Sequence, residues 1–207
     1  MLSIFELFGT IAFAASGAIT GLSKKMDILG VTTLGVVTAV GGGVIRDLIL
    51  GNTPPATFHN PTYALIAIAV SIIIFIPMVR RFLFQRQQVY AMIMLIMDSI
   101  GLGAFTVVGI QTAYASDNTY NVFLLIFVGV VTGVGGGILR DILAGNTPYI
   151  FIKHFYACAS IIGAVVCILL WKFVGQSVAI LGGAATVIVL RLLAAHYRWS
   201  LPKAEFE

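Results

Sequence analysis

Seven runs of about twenty apolar residues leave this chain little choice of fold, because a helix needs about that length to cross a hydrocarbon core of about 30 Å. The runs fall at roughly 3–22, 28–50, 62–79, 90–111, 120–144, 151–172 and 175–195. Inside lipid every backbone N–H and C=O must bond within the protein, so a spanning segment of this length is a helix. The rest of the composition agrees. Only 10% of the 207 residues are charged and 59% are hydrophobic, whereas a water-soluble domain carries about 25% charged residues. The links between runs are short and hold the turn formers, as in "SKKMD", "GNTPPATFHNP" and "YASDNTYN". No segment is left for a soluble domain.

The sequence "AFAASGA" resembles a signal-peptidase site, but no Lys or Arg precedes the first run and Glu6 stands where a basic region belongs. The first run therefore reads as a retained helix. Cys158 and Cys167 lie in one apolar run, where their spacing suits neither zinc nor a disulfide, and read as packing residues. The net charge of +4 comes from loop residues and forms no basic stripe, so no nucleic-acid partner is expected. Short-loop cations set orientation. Lys24, Lys25, Arg80, Arg81, Arg86, Lys153, Arg198 and Lys203 all fall on one side, against Lys172 on the other. That places the N-terminus outside and the C-terminus in the cytoplasm of a multi-pass membrane protein.

One stretch occurs twice. "GVVTAVGGGVIRDLILGNTP" from Gly35 to Pro54 returns as "GVVTGVGGGILRDILAGNTP" from Gly129 to Pro148, with fourteen of twenty positions identical. The duplication is wider than that. Glu6, Gly9, Phe13 and Gly17 match Asp98, Gly101, Phe105 and Gly109, and Tyr63-Ala64 matches Tyr156-Ala157. Spans one to three thus repeat as spans four to six. Three is odd, so the second copy enters the membrane from the opposite side, an arrangement typical of proteins that move solutes across membranes. The expected organisation is all-α and integral to the membrane. A first three-helix repeat covers 3–82 and a second, inverted repeat 90–172. A seventh helix follows at 175–195, then a cytoplasmic tail at 196–207.

The triple glycines, Gly41–Gly43 and Gly135–Gly137, admit two readings. Small residues every fourth position let helices approach closely, and Gly35, Ala39 and Gly43, like Gly129, Gly133 and Gly137, follow that spacing. Consecutive glycines also weaken a helix by about 1 kcal/mol each relative to alanine. On this second, favoured reading helices two and five are kinked or unwound at mid-membrane, and the freed carbonyls line a polar path. Arg46, Asp47, Arg140 and Asp141 follow one turn later, at a depth where ionisable residues usually face a bundle interior or a watery path. Side chains at i and i+1 point about 100° apart on a helix. Each charge is therefore expected to find a partner elsewhere, with Arg46–Asp141 and Arg140–Asp47 the candidate cross-repeat pairs. The alternative is that the charges snorkel to the span ends. Thr38 and Thr132, one turn before the glycines, either bond the i−4 carbonyl or offer a hydroxyl to the path. "GNTP" reads as a C-cap and turn closing each glycine-rich helix. Glu6 and Asp98 are candidate mouth charges. His59, His154 and His196 stand apart from other ligands, and no nucleotide-binding loop or catalytic constellation is present, so neither cofactor, resident metal nor enzymatic activity is expected.

With two copies of three spans plus one, and "GGG-x-x-RD" in spans two and five, the chain resembles the bacterial relatives of the trimeric intracellular cation channels. The same prokaryotic family is also labelled the glycine-transporter domain or UPF0126 family. The resemblance covers about residues 3–195. It implies a seven-helix protomer, a homotrimer in the lipid bilayer, and one potassium-permeable pore per protomer past Gly41–Gly43 and Gly135–Gly137, with potassium held transiently at the glycine-turn carbonyls. The animal members carry lysines tied to lipid binding and gating; no lysine lies inside a span here, so that regulation does not transfer. Two functions remain in view. A cation channel needs only weak, multiple oxygen sites. A transporter of glycine or a similar small neutral amino acid would need an arginine for the carboxylate and an aspartate for the ammonium.

Overall fold

The computed structural model describes residues 2–116, 121–152 and 155–199. Among these residues the chain forms ten helices: α1 (Leu2–Ser23), α2 (Ile28–Ile49), α3 (Ala56–His59), α4 (Thr62–Phe75), α5 (Pro77–Phe84), α6 (Gln87–Ser116), α7 (Val122–Leu143), α8 (Tyr149–Ile152), α9 (Tyr156–Phe173) and α10 (Gln176–His196). Six of them are long and apolar enough to span a membrane. The bent pair α4 and α5, taken together as one broken span, makes a seventh. Lys153, His154 and Lys203 lie outside the described residues.

Polarity is inverted relative to a water-soluble protein. Leu29 and Phe123 are 72% and 77% exposed, while Thr38, Ser71 and Arg140 are fully buried. Apolar side chains face outward, where lipid receives them, and the polar ones find partners inside. α1 is integral to the bundle: Ala14 and Ala18 are fully buried and the Phe13 ring packs at a tilt against Phe105 with centroids 5.3 Å apart. Cys158 and Cys167 are free thiols, the latter buried in the core.

Two spans differ from expectation. The sequence predicts the third as one helix over 62–79, but it stops at Phe75 and turns by 73° into α5. Pro77 causes this. It has no N–H to donate, and its ring drives the preceding residue out of the helical region; Ile76 accordingly sits at φ −55°, ψ 133°. The sequence predicts the sixth over 151–172. Its long helix, α9, begins only at Tyr156, after the short α8 and a left-handed Phe155 at φ 51°.

α2 and α7 begin alike. Asp27 accepts the Gly30 N–H at 2.7 Å and Asn121 the Leu124 N–H at 2.8 Å, the side-chain caps that start a helix. They end alike as well. The N–H of Asn52 reaches Asp47 O and that of Asn146 reaches Asp141 O, both at 2.8 Å, across Gly51 and Gly145 at φ +75° and +65°. This is the glycine C-cap expected of "GNTP".

Between those ends both helices run uninterrupted through their glycine triplets. The unwound turn expected from the sequence is absent, and the carbonyls there belong to the helical ladder. The glycines serve contact instead. A Cβ on Gly42 would strike the Thr132 carbonyl oxygen, and one on Gly136 would strike that of Thr38. Gly42 facing Thr132 while Gly136 faces Thr38 makes α2 and α7 antiparallel, and their backbones touch where they cross. Thr38 and Thr132 are gripped from the other side too. A Cβ on Gly17 would lie 2.5 Å from Thr38 Oγ1, and one on Gly109 the same distance from Thr132 Oγ1.

The three glycines of a triplet should therefore respond differently. Gly42→Ala and Gly136→Ala push backbone against backbone and should cost about 1–3 kcal/mol, the usual range for overpacking. Gly43→Ala meets only the Arg46 guanidinium, at 3.7 Å, and should hold or raise stability through the better helix propensity of alanine. Thermal unfolding of the three purified variants in detergent checks this ordering.

Candidate functional site

Each glycine-rich helix ends in an arginine and an aspartate, and these organise two clusters. The near cluster lies on the side where α1 begins and α2 ends. The far cluster lies on the side where α7 ends. Arg46 and Arg140 each follow the crossing by four residues, about 6 Å along the axis, in opposite directions because the helices are antiparallel. That separation rules out the expected cross-repeat pairs.

The arginines bond their own neighbours instead. Arg46 Nε donates to Asp47 Oδ1 at 2.8 Å, and Arg140 Nε to Asp141 Oδ1 at 2.9 Å. Adjacent Cβ atoms diverge, but the long arginine stem curls sideways to bring Nε back. The second carboxylate oxygen of each aspartate caps the next short helix: Asp47 Oδ2 accepts the Ala56 N–H and Asp141 Oδ2 the Tyr149 N–H, both at 2.9 Å. The Arg-Asp pairs thus anchor the loop after each glycine-rich helix to that helix's last turn.

Beyond this shared lock the clusters diverge. On the far side Arg140 is fully buried, donates to Asp98 Oδ1 at 2.7 Å and also bonds Ser16 Oγ of α1. Arg191 of α10 places Nη2 3.9 Å from Asp98 Oδ2 and its guanidinium over the Tyr156 ring at 4.6 Å. The far cluster holds two arginines and two aspartates, formally neutral. On the near side Glu6 takes the place of Asp98 and accepts a hydrogen bond from Tyr63 Oη at 2.9 Å. With Arg46 against Glu6 and Asp47, the near cluster carries a formal charge of −1.

The near cluster opens onto a cavity of about 180 Å³ whose wall includes Glu6, Thr10, Gly43, Arg46, Asn60 and Phe105. A second hollow of about 460 Å³ shares Glu6 and Arg46 and reaches the "GNTP" loop and His59. The far cluster borders a cavity of about 350 Å³ that includes Gln87, Tyr90, Asp98, Tyr149 and Arg191.

The sequence-derived path residues separate on this map. Gly43 is on the near cavity wall. Gly42 and Gly136 form the crossing, Gly41 faces Leu139, and Gly135 faces Gly42 and Ile45. Gly137 faces the Tyr156 hydroxyl and Arg140. The Thr38 and Thr132 hydroxyls donate to Leu34 O and Val128 O at 2.6 Å, so both satisfy their own helices. Sequence reasoning missed Arg191 and Ser16. The first had a signal, a lone arginine in the run "TVIVLRLLAAH"; the second, one serine among many, had none.

A family model described as "Glycine transporter" matches residues 3–78 and 95–172. The chain belongs to this family. Among its relatives, the UPF0126 inner membrane protein YadS of Escherichia coli K12 is 35% identical over 199 residues, covering 95% of this chain and 93% of that one. A UPF0126 membrane protein of Vibrio cholerae is 36% identical over 203 residues, 98% of this chain and 82% of its own. Solved structures agree over nearly the whole length. One, described as "Structural basis for conductance through TRIC cation channels", has 39% identity and a TM-score of 0.86 and covers 99% of this chain and 98% of its own. A TRIC trimeric intracellular cation channel orthologue from Rhodobacter sphaeroides has 33% identity and a TM-score of 0.86, covering 96% and 98%. The chain is accordingly a multi-pass bacterial membrane protein with this all-helical fold.

The unequal burial has a measurable consequence. Asp98→Asn leaves buried Arg140 short of a counter-charge and should destabilise by about 3–5 kcal/mol, the cost of breaking a buried ion pair. Glu6→Gln, at a half-buried site whose tyrosine partner also bonds an amide oxygen, should lower the melting temperature far less. Thermal unfolding in detergent compares the two.

Proposed function

We propose that the chain is a monovalent cation channel, permeable to potassium, with a path through each protomer beside the α2–α7 crossing. The observation that carries the reading is the likeness, over nearly all of both chains, to structures described as TRIC cation channels. The near cluster supports it. An excess carboxylate over a cavity of about 180 Å³ favours a cation, and the space admits one with several waters at about 30 Å³ each. Thr10 and Asn60 add oxygen ligands of the weak, multiple kind that permits passage. The path starts at Glu6, Thr10 and Gly43 and passes the crossing toward Gly137 and Asp98, rather than using freed glycine carbonyls. The active assembly is a homotrimer in the inner membrane, as the description of the Rhodobacter sphaeroides protein has it for that channel. The near side faces outward, the N-terminus lies outside and the C-terminus in the cytoplasm, as loop cations dictate.

A second reading is favoured by one feature: Glu6 and Arg46 border the same small cavity, the pair of charges a zwitterion such as glycine requires. The family model's description points the same way.

Purified protein in a planar bilayer under a potassium chloride gradient distinguishes them. The channel reading expects discrete, cation-selective openings, with Glu6→Gln lowering conductance about twofold or more at 0.1 M salt and less at 1 M, where screening shortens to about 3 Å. Anion-selective openings, or silence from folded protein that takes up labelled glycine into vesicles, would overturn it.

A further inference from the structure

The third span bends before it ends, and the 73° turn swings the short helix α5 well away from the direction of α4. Successive residues advance about 100° around a helix. Met78, Val79, Phe82 and Leu83 therefore share one side of α5, with Arg80 and Arg81 on the other. The apolar side is itself divided. Leu83 is buried and joins Val79 in a cluster with Ile19 and Leu22 of α1 and Met94 of α6. Met78 and Phe82 are 81% and 62% exposed. Arg80, Arg81 and Arg86 are exposed within a seven-residue stretch, and the cost of charge in hydrocarbon places them in the headgroup layer. Exposed Lys24 and Lys25 follow α1 at the same end of the bundle. Among the described residues none of these five cations is in an ion pair. The Arg80 guanidinium lies 6.0 Å from the centre of the Phe75 ring, a contact that uses none of its N–H donors. The one exposed carboxylate among the described residues is Asp27, and it caps α2. A second copy of those residues therefore brings α5 no matching anionic surface.

We propose that α5 is an in-plane anchor that binds anionic phospholipid, with Met78 and Phe82 among the acyl chains and Arg80, Arg81 and Arg86 on the headgroup phosphates. A helix with a basic face and a bulky apolar face lies at this boundary, and a basic cluster beside a span attracts anionic lipid. Guanidinium groups fit phosphate oxygens in pairs. Cations that only set orientation need no particular face of a helix, whereas Arg80 and Arg81 stand opposite the apolar side of α5. The anchor is independent of what the protein conducts.

Native mass spectrometry of the purified full-length protein tests this, with phosphatidylglycerol or phosphatidylcholine of the same acyl chains added to the detergent. The unaltered protein should retain phosphatidylglycerol several-fold more than phosphatidylcholine. Arg80→Gln combined with Arg81→Gln should remove most of that preference, and Arg80→Lys combined with Arg81→Lys should keep most of it. Arg198→Gln removes an exposed cation that the alternation of spans places on the same side of the membrane but off α5, and it should leave the preference unchanged. If the double glutamine variant does not fold, Arg81→Gln alone carries the test, with a partial loss expected. Equal retention of the two lipids by the unaltered protein, or equal losses from Arg81→Gln and Arg198→Gln, overturns the anchor.

Discussion

The contact of two helix backbones at Gly42 and Gly136 is the constraint on which the rest of the molecule depends. Neither position accepts a methyl group without driving it into a carbonyl oxygen of the opposing helix. Between membrane helices no hydrophobic force favours association over lipid, so close packing of small residues carries much of the energy. The crossing is also antiparallel, and it therefore throws the two Arg-Asp pairs to opposite sides. Everything charged in the interior follows from that divergence: two separate clusters, each attached to one end of the crossing, each opening toward a different face.

Near identity of sequence in the two repeats does not give them identical ends. Glu6 lies about 6 Å from the start of its helix and Asp98 about 16 Å from the start of its own, at 1.5 Å per residue, because α6 runs eleven residues before Asp98 and α1 only four before Glu6. The far carboxylate is consequently buried and bound by Arg140, while the near one keeps contact with an open cavity. The added helix α10 widens the difference by bringing Arg191 to one cluster. An inverted duplication thus becomes a directional molecule through the length of one helix and one appended span.

Much of this could be read in the sequence, and what could not has definite causes. The seven spans, the odd-numbered repeat and the glycine caps after Leu50 and Ala144 follow from local rules of length, periodicity and turn chemistry. Whether a glycine triplet unwinds or packs depends on what lies against it, and Thr132 and Thr38 are some ninety residues away. The sideways reach of Arg46 Nε to Asp47 defeats a rule based on Cβ directions, since that rule holds best for short side chains. Pro77 was visible, yet hydropathy alone carried the third span past it. Arg191 offered a signal, but its partner Asp98 lies in another repeat and no spacing rule links them.

On the proposed channel function, cations are held in the side-chain cavities flanking the crossing, not at glycine carbonyls within it. Anomalous diffraction from crystals of the protein soaked in a thallous salt, a heavy surrogate for potassium, tests this most directly. Anomalous density is expected in the near cavity within reach of Glu6 and Thr10, with α2 and α7 continuous through their glycines. Density on the carbonyls of Gly41–Gly43 or Gly135–Gly137, with either helix unwound there, would contradict it.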